Sequence, residues 1–433
     1  MVQNHVVDVV VIGGGPGGSC AATKLACAGK KVLLLEKEHF PRFHIGESLL
    51  PYNNPIFEEL GVMPALQAAG FPRKVGAQFF LGNGSKSLFF IFSSGKFTRH
   101  SESFQVERSR FDHILLKHAA KSGADVREGM TVTKVVVGSD SATVTALDAS
   151  GCPMEVQAQF VIDASGRGNL TGNQEGVKIP NPKHRKLAIF GHFEGVTLDE
   201  GSAGADTVII RLDNKWFWFI PLHITSDRTQ HKVSVGLVMD RDEMNASGKA
   251  PEELFRTYLE SNIAAASRMQ AARPVSPMRV TSDFSYRNQT FGSSRVVRVG
   301  DAAGFIDPIF SSGVYIAMFS AKWAVEAIIP LLANGGDGTR EFARYEKRIN
   351  KAMRVYWEMV ENFYTTPFME VFMEPRPKWD IAASVNAILA GELEGGWKLK
   401  WRIRAFFWLV KLQAKRPFMP KITFEPTVAE EKA

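Results

Sequence analysis

A strand, a glycine-rich turn and a helix follow one another directly near the start of this chain. The valine-rich run Val6 to Ile12 predicts a buried strand, and Gly13, Gly15 and Gly18 follow it with GxGxxG spacing. A helical stretch from Ala21 to Ala28 comes next. In such a unit two glycines let the backbone approach a pyrophosphate, the third lets helix pack on strand, and the helix N-terminus attracts the anion. The unit therefore predicts an α/β fold with a Rossmann-like dinucleotide site.

A carboxylate stands where this kind of site binds a ribose. Glu36 follows a second predicted strand, Lys31 to Leu35, and can accept hydrogen bonds from ribose hydroxyls. The residues predicted from this unit to bind the cofactor are Gly13, Gly15, Pro16, Gly18, Glu36 and Lys37.

The size and composition are those of a soluble globular protein. The 433 residues are 45% hydrophobic and 22% charged, which is enough for two or three layers around a large core. We find no uninterrupted apolar run of membrane-spanning length and no secretory signal in the first residues, so we expect a cytoplasmic protein without stable membrane insertion. Cys20, Cys27 and Cys152 have neither metal-ligand nor redox-pair spacing, and we interpret all three as small apolar fillers, with no metal site.

The net charge of +7 is mild, and its basic residues are scattered except near the C-terminus. No nucleic-acid-binding motif accompanies them, so nucleic acid is not implied. A solvated helix face or a docking surface for something acidic fits better. The clustered basic residues are Lys398, Lys400, Arg402, Arg404, Lys411, Lys415, Arg416 and Lys421.

Two later segments resemble motifs of FAD enzymes of the aromatic-hydroxylase type. The first is DASGR, Asp163 to Arg167. The second is GDAAGFIDPIFSSG, Gly300 to Gly313, which lies between a predicted strand, Arg295 to Val299, and a long helix from about Val314. The resemblance indicates that the dinucleotide is FAD.

The same resemblance implies roles for residues of the second motif. Asp301 would hold the ribityl chain, while Pro308, Ser312 and Gly313 would lie beside the isoalloxazine ring. Backbone N–H groups of Ser312 and Gly313 would also hold a halide ion. A surface loop that opens a helix is the alternative, and the segment is too apolar to favour it.

A six-residue motif moves the prediction from FAD enzymes in general to halogenases. WFWFIP, Trp216 to Pro221, resembles the WxWxIP signature of flavin-dependent halogenases. On a strand, Trp216 and Trp218 would share one face and the phenylalanines the other. Plain core packing is the alternative for such an aromatic run. The resemblance implies that the tryptophans separate the substrate from the flavin, so that the oxidant must travel.

Further segments resemble halogenases in the same order along the chain. Arg42 and HIGESL, with Glu47 and Ser48, are similar to the segment that folds over the flavin, and Arg108 is similar to an arginine that contacts it. Arg42 and Arg108 are alternatively surface residues or ion-pair partners.

Lys74, in GFPRKVGAQF, matches the position of the family's catalytic lysine. A solvated surface charge is the alternative for a lysine in this setting. The resemblance implies that reduced FAD, oxygen and a halide form hypohalous acid, which Lys74 delivers to an electron-rich ring. Its ammonium would polarise the acid, or its amine would become a chloramine. A lysine suits either step because its pKa falls readily on burial.

One departure from the family pattern concerns the substrate. Tryptophan halogenases carry a glutamate in the flavin motif at the position where this chain has Phe310. A phenol or a pyrrole has less need of that carboxylate, since it loses an acidic proton of its own. We therefore expect one of these rings, free or tethered to an acyl or peptidyl carrier protein.

No second glycine loop for NADPH is visible, so we expect a separate flavin reductase to supply reduced FAD. Single-domain aromatic hydroxylases bind NADPH without such a loop, so other arrangements stay open.

The predicted organisation is discontinuous. Residues 1–180 and 270–335 form the FAD-binding domain, with a helix from Arg110 to Ser122 and a strand meander from Thr131 to Ile162. Residues 181–269 form an antiparallel sheet over the substrate, and residues 336–433 form a helical region. The predicted strands of that sheet are Ala188 to Glu194, Thr207 to Leu212, Lys215 to Leu222 and Lys232 to Met239.

The helical region ends with a basic, aromatic helix predicted from Lys398 to Lys415, after helices to Phe363 and from Asp380 to Ala390. Three interpretations of this last helix stay open. It packs on the core with its charges in water, it contacts a membrane surface, or it docks an acidic carrier protein.

The segments together predict an FAD-dependent halogenase that chlorinates or brominates a small aromatic substrate. An FAD monooxygenase or a reductase of the geranylgeranyl type is the alternative enzyme, and a non-catalytic flavin-binding or carrier-docking protein is the alternative of another class.

Overall fold

The computed structural model describes residues 5–182, 184–225, 231–282, 285–305, 307–375 and 378–424. Its helices are α1 (Pro16–Cys27), α2 (Asn54–Leu60), α3 (Met63–Ala68), α4 (Arg108–Lys121), α5 (Leu170–Gln174), α6 (Arg241–Ser247), α7 (Pro251–Glu260), α8 (Ile263–Met269), α9 (Gly313–Asn334), α10 (Thr339–Phe363), α11 (Thr366–Phe372), α12 (Ile381–Ala390) and α13 (Trp397–Lys415). Its strands are β1 (His5–Ile12), β2 (Val32–Leu35), β3 (Arg73–Lys74), β4 (Gly76–Leu81), β5 (Ser87–Ile91), β6 (Ser103–Phe104), β7 (Asp125–Arg127), β8 (Thr131–Val137), β9 (Ala142–Leu147), β10 (Pro153–Asp163), β11 (Lys178–Pro180), β12 (Lys186–Glu194), β13 (Thr207–Arg211), β14 (Trp216–Ile224), β15 (His231–Asp240), β16 (Arg273–Pro274), β17 (Arg279–Ser282), β18 (Tyr286–Asn288), β19 (Gly292–Ser293), β20 (Val296–Arg298) and β21 (Gly304–Phe305).

The first sheet carries the predicted dinucleotide unit. Its strands run in the order β19-β20-β10-β1-β2-β7, and β20, β10, β1, β2 and β7 are mutually parallel. β8 and β9 form an antiparallel hairpin that pairs with the first half of β10, which is the predicted meander. Because the carboxyl ends of β1, β10 and β20 meet at one edge, the glycine loop, DASGR and the second flavin motif also meet there. The predicted α/β fold is confirmed.

The second sheet stands beside that edge. Its strands run in the order β16-β12-β15-β14-β13-β4-β5, with β17 also paired to β12. The four strands predicted between residues 188 and 239 are present, but the sheet is not wholly antiparallel, since β13 and β4 are parallel. The reason is long-range pairing: β4 and β5 come from residues 76–91, far earlier in the chain.

Helix α9 joins the cofactor region to the helices that follow. By length and composition it is apolar enough to cross a membrane, yet 56% of its most apolar 18-residue window is buried in the protein. It packs against α1, where the Cys20 thiol donates to the Met318 carbonyl at 3.6 Å. Lys322 and Glu326 also interrupt it, so we interpret α9 as a core helix. A cytoplasmic location stays a prediction.

The helical region from α10 onward packs on both sheets. α10 is amphipathic and buries one face, including Phe342, Tyr345, Tyr356 and Phe363. α11 and α12 both pack against α13. The predicted helices therefore form, each beginning within a few residues of its expected position.

The interpretation of all three cysteines as apolar fillers is wrong for two of them. Cys20 is buried in α1, and burial raises its thiol pKa to about 12. Cys27 and Cys152 are exposed, because Cys27 is the last residue of α1 and Cys152 lies in the connection before β10.

Candidate active site

The glycine loop has the close contacts that exclude side chains. Gly13 has φ +99°, and a Cβ there would lie 2.5 Å from the Ala164 carbonyl oxygen. A Cβ on Gly18 would lie 1.8 Å from the Gly13 oxygen, so the third glycine serves helix packing. Gly15 is the N-cap of α1 and Pro16 its first residue. The N-terminus of α1 therefore points its free N–H groups toward the loop.

A cavity of about 440 Å³ begins at this loop and runs between the two sheets. Glu36 lines it, and its carboxylate accepts hydrogen bonds from Gly14 N at 2.6 Å and Glu38 N at 2.9 Å. Most of the predicted cofactor residues line the same cavity, namely Gly13, Gly15, Pro16, Lys37, Arg42, Ser48, Arg108, Asp301, Pro308 and Gly313. Gly18, Lys74 and Ser312 are not among its lining residues.

Arg42 and Arg108 meet at one carboxylate that the sequence did not reveal. Asp112, one helical turn after Arg108 on α4, accepts Arg108 Nε at 2.7 Å and Arg42 Nη1 at 2.9 Å. Arg108 Nη1 also donates to the Ile45 carbonyl at 2.7 Å, which anchors the HIGESL segment. Both arginines are thus ion-pair partners as well as cavity residues. The i,i+4 spacing of Arg108 and Asp112 was the signal available in the sequence.

The second flavin motif forms the far end of the cavity. Asp301 lies in a short 3₁₀ turn, and burial raises the pKa of its carboxyl to about 6, although Arg167 and Arg108 oppose the shift. Pro308 and Gly313 line the cavity, and Ser312 is the buried N-cap residue of α9. The predicted halide site at Ser312 and Gly313 therefore stands at the start of a long helix, where the backbone favours anions.

These residues fit FAD. Gly13 and Gly15 line the cavity without placing a side chain in it, and the N-terminus of α1 faces that space, which suits a pyrophosphate. Oε2 of Glu47 is buried beside the cavity and accepts no hydrogen bond from the described part of the chain, while its Oε1 meets His192 Nε2 at 2.8 Å. A buried acceptor without a protein donor beside the cavity is suited to accept a hydrogen bond from a bound group.

The tryptophans of WFWFIP share one face of β14, as predicted. Trp216 and Trp218 line the cavity with their ring centroids 5.9 Å apart, whereas Phe217 and Phe219 pack in the separate core on the opposite side of the sheet. Gly236 on β15 makes room for Trp218, since a Cβ there would lie 2.2 Å from its ring. The indoles are therefore rigidly held walls of the cavity.

A partly buried hydrogen-bond chain, missed by the sequence prediction, connects Trp216 to the flavin motif. Trp216 Nε1 donates to the Tyr364 hydroxyl at 2.9 Å, and that hydroxyl donates to Asp307 Oδ2 at 2.8 Å. Asp307 Oδ1 caps the turn at Ile309 N. Burial raises the pKa of Asp307 to about 6 and, with the Asp307 charge, raises that of Tyr364 well above its usual value. No local pattern identifies Tyr364, which comes from the helical region.

Lys74 is not a solvated surface charge. It lies on β3 with only 2% of its surface exposed, and its Nζ donates to Ser48 Oγ at 2.9 Å and to the Leu49 carbonyl at 3.3 Å. Burial lowers the pKa of Lys74 to about 8, and the charge of Asp206 opposes that shift. Lys74 forms no ion pair within the described ranges, because Asp206 instead accepts the backbone N–H groups of Val75 and Gly76.

Hydroxyl groups connect Lys74 to the cavity. Ser48 Oγ lies 2.8 Å from Thr207 Oγ1, and both residues line the cavity. Gln105 Nε2 donates to Thr207 Oγ1 at 2.9 Å, while Gln105 Oε1 and the hydroxyl of Ser103 are buried without a partner in the described structure. Lys74 is therefore joined to the edge of the cavity by hydrogen-bonded hydroxyl groups, with further buried polar groups nearby.

Phe310 lies at the position where tryptophan halogenases carry a glutamate, as the sequence analysis noted. It is 4% exposed and packs edge-on against Phe363 of α10, with ring centroids 5.8 Å apart. A carboxylate in this apolar contact would be costly, so the missing base is replaced by core packing.

Several known proteins are similar to this chain over most of its length. A sequence profile described as tryptophan halogenase matches residues 8–102 and 93–371. The chain is 32% identical to the 1H-pyrrole-2-carbonyl-(peptidyl-carrier protein) chlorinase of Pseudomonas fluorescens, over 92% of each protein. It is 31% identical to the corresponding brominase of Pseudoalteromonas luteoviolacea, over 90% of this chain and 94% of the relative. The crystal structure of the myxobacterial chondrochloren halogenase, a variant of FAD-dependent halogenases, is 30% identical over 96% of this chain and 91% of that one, with a TM-score of 0.74.

Proposed function

Because the chain belongs to the tryptophan halogenase family and is therefore a flavin-dependent halogenase that uses FAD and a halide, we propose that it chlorinates or brominates a pyrrole or phenol ring carried as a thioester on a carrier protein. Lys74 delivers the halogen in this proposal. A separate flavin reductase supplies the reduced cofactor.

The observation that carries the proposal is the environment of Lys74. A lysine ammonium that is almost fully buried, without a carboxylate in contact, is costly to maintain. Its hydrogen bond to Ser48 connects it to the edge of the flavin cavity. A buried amine with a lowered pKa, hydrogen-bonded to a hydroxyl at the cavity edge, suits proton transfer near neutral pH.

The binding roles follow from the cavity. The glycine loop and the N-terminus of α1 would hold the pyrophosphate of FAD, Glu36 would accept hydrogen bonds from the ribose, and Asp301 would accept them from the ribityl chain. The bound cofactor, reduced and supplied with oxygen and a halide, provides hypohalous acid. Trp216 and Trp218 keep the aromatic substrate out of the flavin cavity, so the acid leaves past Ser48 and Thr207.

Beyond Ser48 and Thr207, Lys74 acts on the hypohalous acid. Its ammonium donates a hydrogen bond to the oxygen, which makes the halogen electrophilic. The ring's electron pair forms the carbon–halogen bond as the oxygen–halogen bond breaks, and the Lys74 proton converts the departing hydroxide to water. The neutral amine then takes up the proton that the ring loses, which restores the ammonium.

Two observations support the choice of substrate. Phe310 leaves the site without a carboxylate, so a ring with its own acidic proton is favoured. The chlorinase and the brominase named above act, by their names, on pyrrole-2-carbonyl groups held on peptidyl carrier proteins.

Mass spectrometry of the products tests the proposal. The purified protein is supplied with FAD, a flavin reductase, NADH, oxygen and either a pyrrole-2-carbonyl carrier protein or a panel of free phenols and pyrroles, with chloride, bromide or neither. We expect a halide-dependent product with the isotope doublet of chlorine or bromine. A gain of one oxygen without halide would identify a monooxygenase and contradict the proposal.

The reductase partner has its own control. Reaction mixtures that receive chemically reduced FAD, or NADH without the reductase, separate the two sources of electrons. We expect product from the first mixture and none from the second. Turnover with NADH alone would show that this chain reduces its own flavin.

A further inference from the structure

The exposed face of α13 carries large aromatic groups that nothing in the described structure covers. Trp397 is 72% exposed and Trp408 is 58% exposed. At 3.6 residues per turn, positions 397, 400, 404, 408, 411 and 415 fall within about a quarter of the helix circumference. Exposed tryptophans grouped on one face are typical of surfaces that bind a partner.

The charge of this face is of one sign. Between Trp397 and Lys415 the helix contains six basic residues and no acidic one. Arg402 pairs with Asp380 at 3.5 Å, but the other five form no ion pair with any residue that the structure describes. Those five are Lys398, Lys400, Arg404, Lys411 and Lys415. Charge complementarity therefore requires an acidic partner.

An apolar pocket of about 210 Å³ lies beneath this helix, between β5, α11, α12 and α13. Phe90, Phe372, Val385 and Phe406 line it. At its rim stand Trp379, which is 59% exposed, and Phe418, which is 39% exposed. The pocket suits one flat apolar ring and is separate from the flavin cavity, with which it shares no lining residue.

The pocket wall is close along the chain to a residue that contacts Lys74. Phe90 belongs to β5 and lines the pocket, whereas Phe92 begins the short 3₁₀ turn that follows β5, and both side chains are buried. The Phe92 ring lies 5.6 Å from Lys74 Nζ. The turn that begins at Phe92 also packs on α12, where Asn386 donates to the Ile91 carbonyl at 2.8 Å. A residue of the pocket wall is thus two positions along the chain from the ring that contacts the amine.

We infer that α13 and this pocket together are the docking site of the substrate carrier, an acidic protein whose thioester arm ends in an aromatic ring. The basic face and the two tryptophans of α13 contact the carrier, and the ring enters the pocket to meet Lys74 from the side opposite the flavin. This inference rests on the proposed function.

Other occupants fit the surface less well. A lipid surface needs a continuous apolar face, but the apolar face of α13 packs on α11 and α12, and the exposed tryptophans are eleven residues apart. That spacing places them about 16 Å apart along the helix. A second copy of the chain would bring two basic faces together in a symmetric contact, which is repulsive.

Fluorescence anisotropy tests the docking surface without requiring turnover. The probe is a labelled peptidyl carrier protein charged with pyrrole-2-carbonyl, titrated with the wild-type protein and with the triple variant Lys400→Glu, Arg404→Glu, Lys411→Glu. The matched control is Arg344→Glu, Lys347→Glu, Lys351→Glu, which reverses three exposed basic residues on one face of α10. We expect Kd to rise on the order of tenfold for the α13 variant at low salt and to be unchanged for the control.

Equal Kd values for the two triple variants would overturn the inference. So would binding of the wild-type protein to phosphatidylserine-containing vesicles that the α13 variant loses while carrier affinity stays the same. Because anisotropy reports binding alone, a failure of halogenation with the docking effect intact would contradict the proposed function and leave the docking surface standing.

The pocket is tested by filling it. Ala382→Phe, on α12 at the pocket wall, should lower kcat/KM for the carrier-bound ring and for a pyrrole-2-carbonyl pantetheine thioester alike, by about tenfold or more. Chlorination of monochlorodimedone, a trap for free hypochlorous acid, should continue and would show that the variant is folded. Unchanged turnover of both thioesters would exclude the pocket as the entrance.

Discussion

Two buried lysines of this protein have opposite surroundings. Lys186, at the start of β12, is 4% exposed, pairs with Asp240 at 2.8 Å, donates to the Asn214 carbonyl at 2.8 Å and lies over the Tyr364 ring. Lys74 is 2% exposed and has no carboxylate in contact. Burial lowers the pKa of both amines, although contact with Asp240 opposes the shift at Lys186.

The difference teaches how to separate a structural lysine from a reactive one. A carboxylate in contact compensates the desolvation of an ammonium and keeps it charged. Without that contact the proton is held loosely, and the amine can exchange it during a reaction. Burial alone does not distinguish the two lysines, whereas the partner does.

The largest expected effect separates the two lysines by activity. Lys74→Ala should lower halogenated product by at least about a hundredfold, the usual scale for loss of a general acid, while flavin oxidation continues. Lys186→Met is the matched control and should retain most of the activity. Product measured by mass spectrometry, with hypochlorous acid trapped by monochlorodimedone, checks both. Halogenation of the substrate by Lys74→Ala would refute the delivery mechanism.

Replacing each lysine with methionine should change the free energy of unfolding in opposite directions. Lys74→Met removes a desolvated charge and should raise the free energy of unfolding at pH 7 by about 3 kcal/mol, since lowering a pKa from 10.5 to about 8 costs about 1.4 kcal/mol per unit. Lys186→Met removes the ion pair with Asp240, leaves the Asn214 carbonyl without the Lys186 donor, and should lower the free energy of unfolding by about 1 kcal/mol. Urea denaturation of both variants measures the change.

The lowered pKa of Lys74 should also make the stability of the wild-type protein depend on pH. Between pH 8 and 10.5 the unfolded chain binds the Lys74 proton more fully than the folded protein does, so this group makes stability rise with pH across that window. The Lys74→Met variant should lack that contribution. Equal pH slopes for wild type and variant would show that the Lys74 amine is not desolvated.

The pH profile of product formation sharpens the comparison further. With a pKa of about 8, Lys74 is about nine-tenths protonated at pH 7. If the ammonium delivers the halogen, the yield of product per hypohalous acid formed should fall by about tenfold per pH unit above pH 8. Trapping of the free acid over the same range is the control. A yield that rises through pH 8 would instead assign the reaction to the neutral amine.

The smallest expected effect concerns Ser48. Its hydroxyl accepts from Lys74 Nζ and so favours the charged amine. Ser48→Ala should lower product by about fivefold, the scale of one hydrogen bond, and should move the fall in the pH profile to lower pH. Ser48→Thr, which keeps the hydroxyl, should restore both. A loss of product without movement of the profile would limit Ser48 to a structural role.

Local sequence patterns predicted more of the cofactor side than of the reaction side. Gly13, Gly15 and Glu36 were predictable because a strand, a tight turn and a helix N-terminus place them by short-range geometry. The alternation of Trp216 and Trp218 followed from the two-residue period of a strand. Asp206 and Tyr364 had no such signal, since each reaches the site from a distant segment.

The sequence by itself determined the α/β class, the order of the flavin motifs, the family and the identity of Lys74 as the candidate amine. The tertiary structure alone decided that Lys74 is buried and that the Asp206 carboxylate accepts backbone N–H groups instead of pairing with it. It also decided that Ser48 and Thr207 connect Lys74 to the flavin cavity. The physical reason is the distance along the chain over which each interaction acts. Turns and strand periods act over a few residues, whereas desolvation and charge pairing depend on neighbours that only the folded chain brings together.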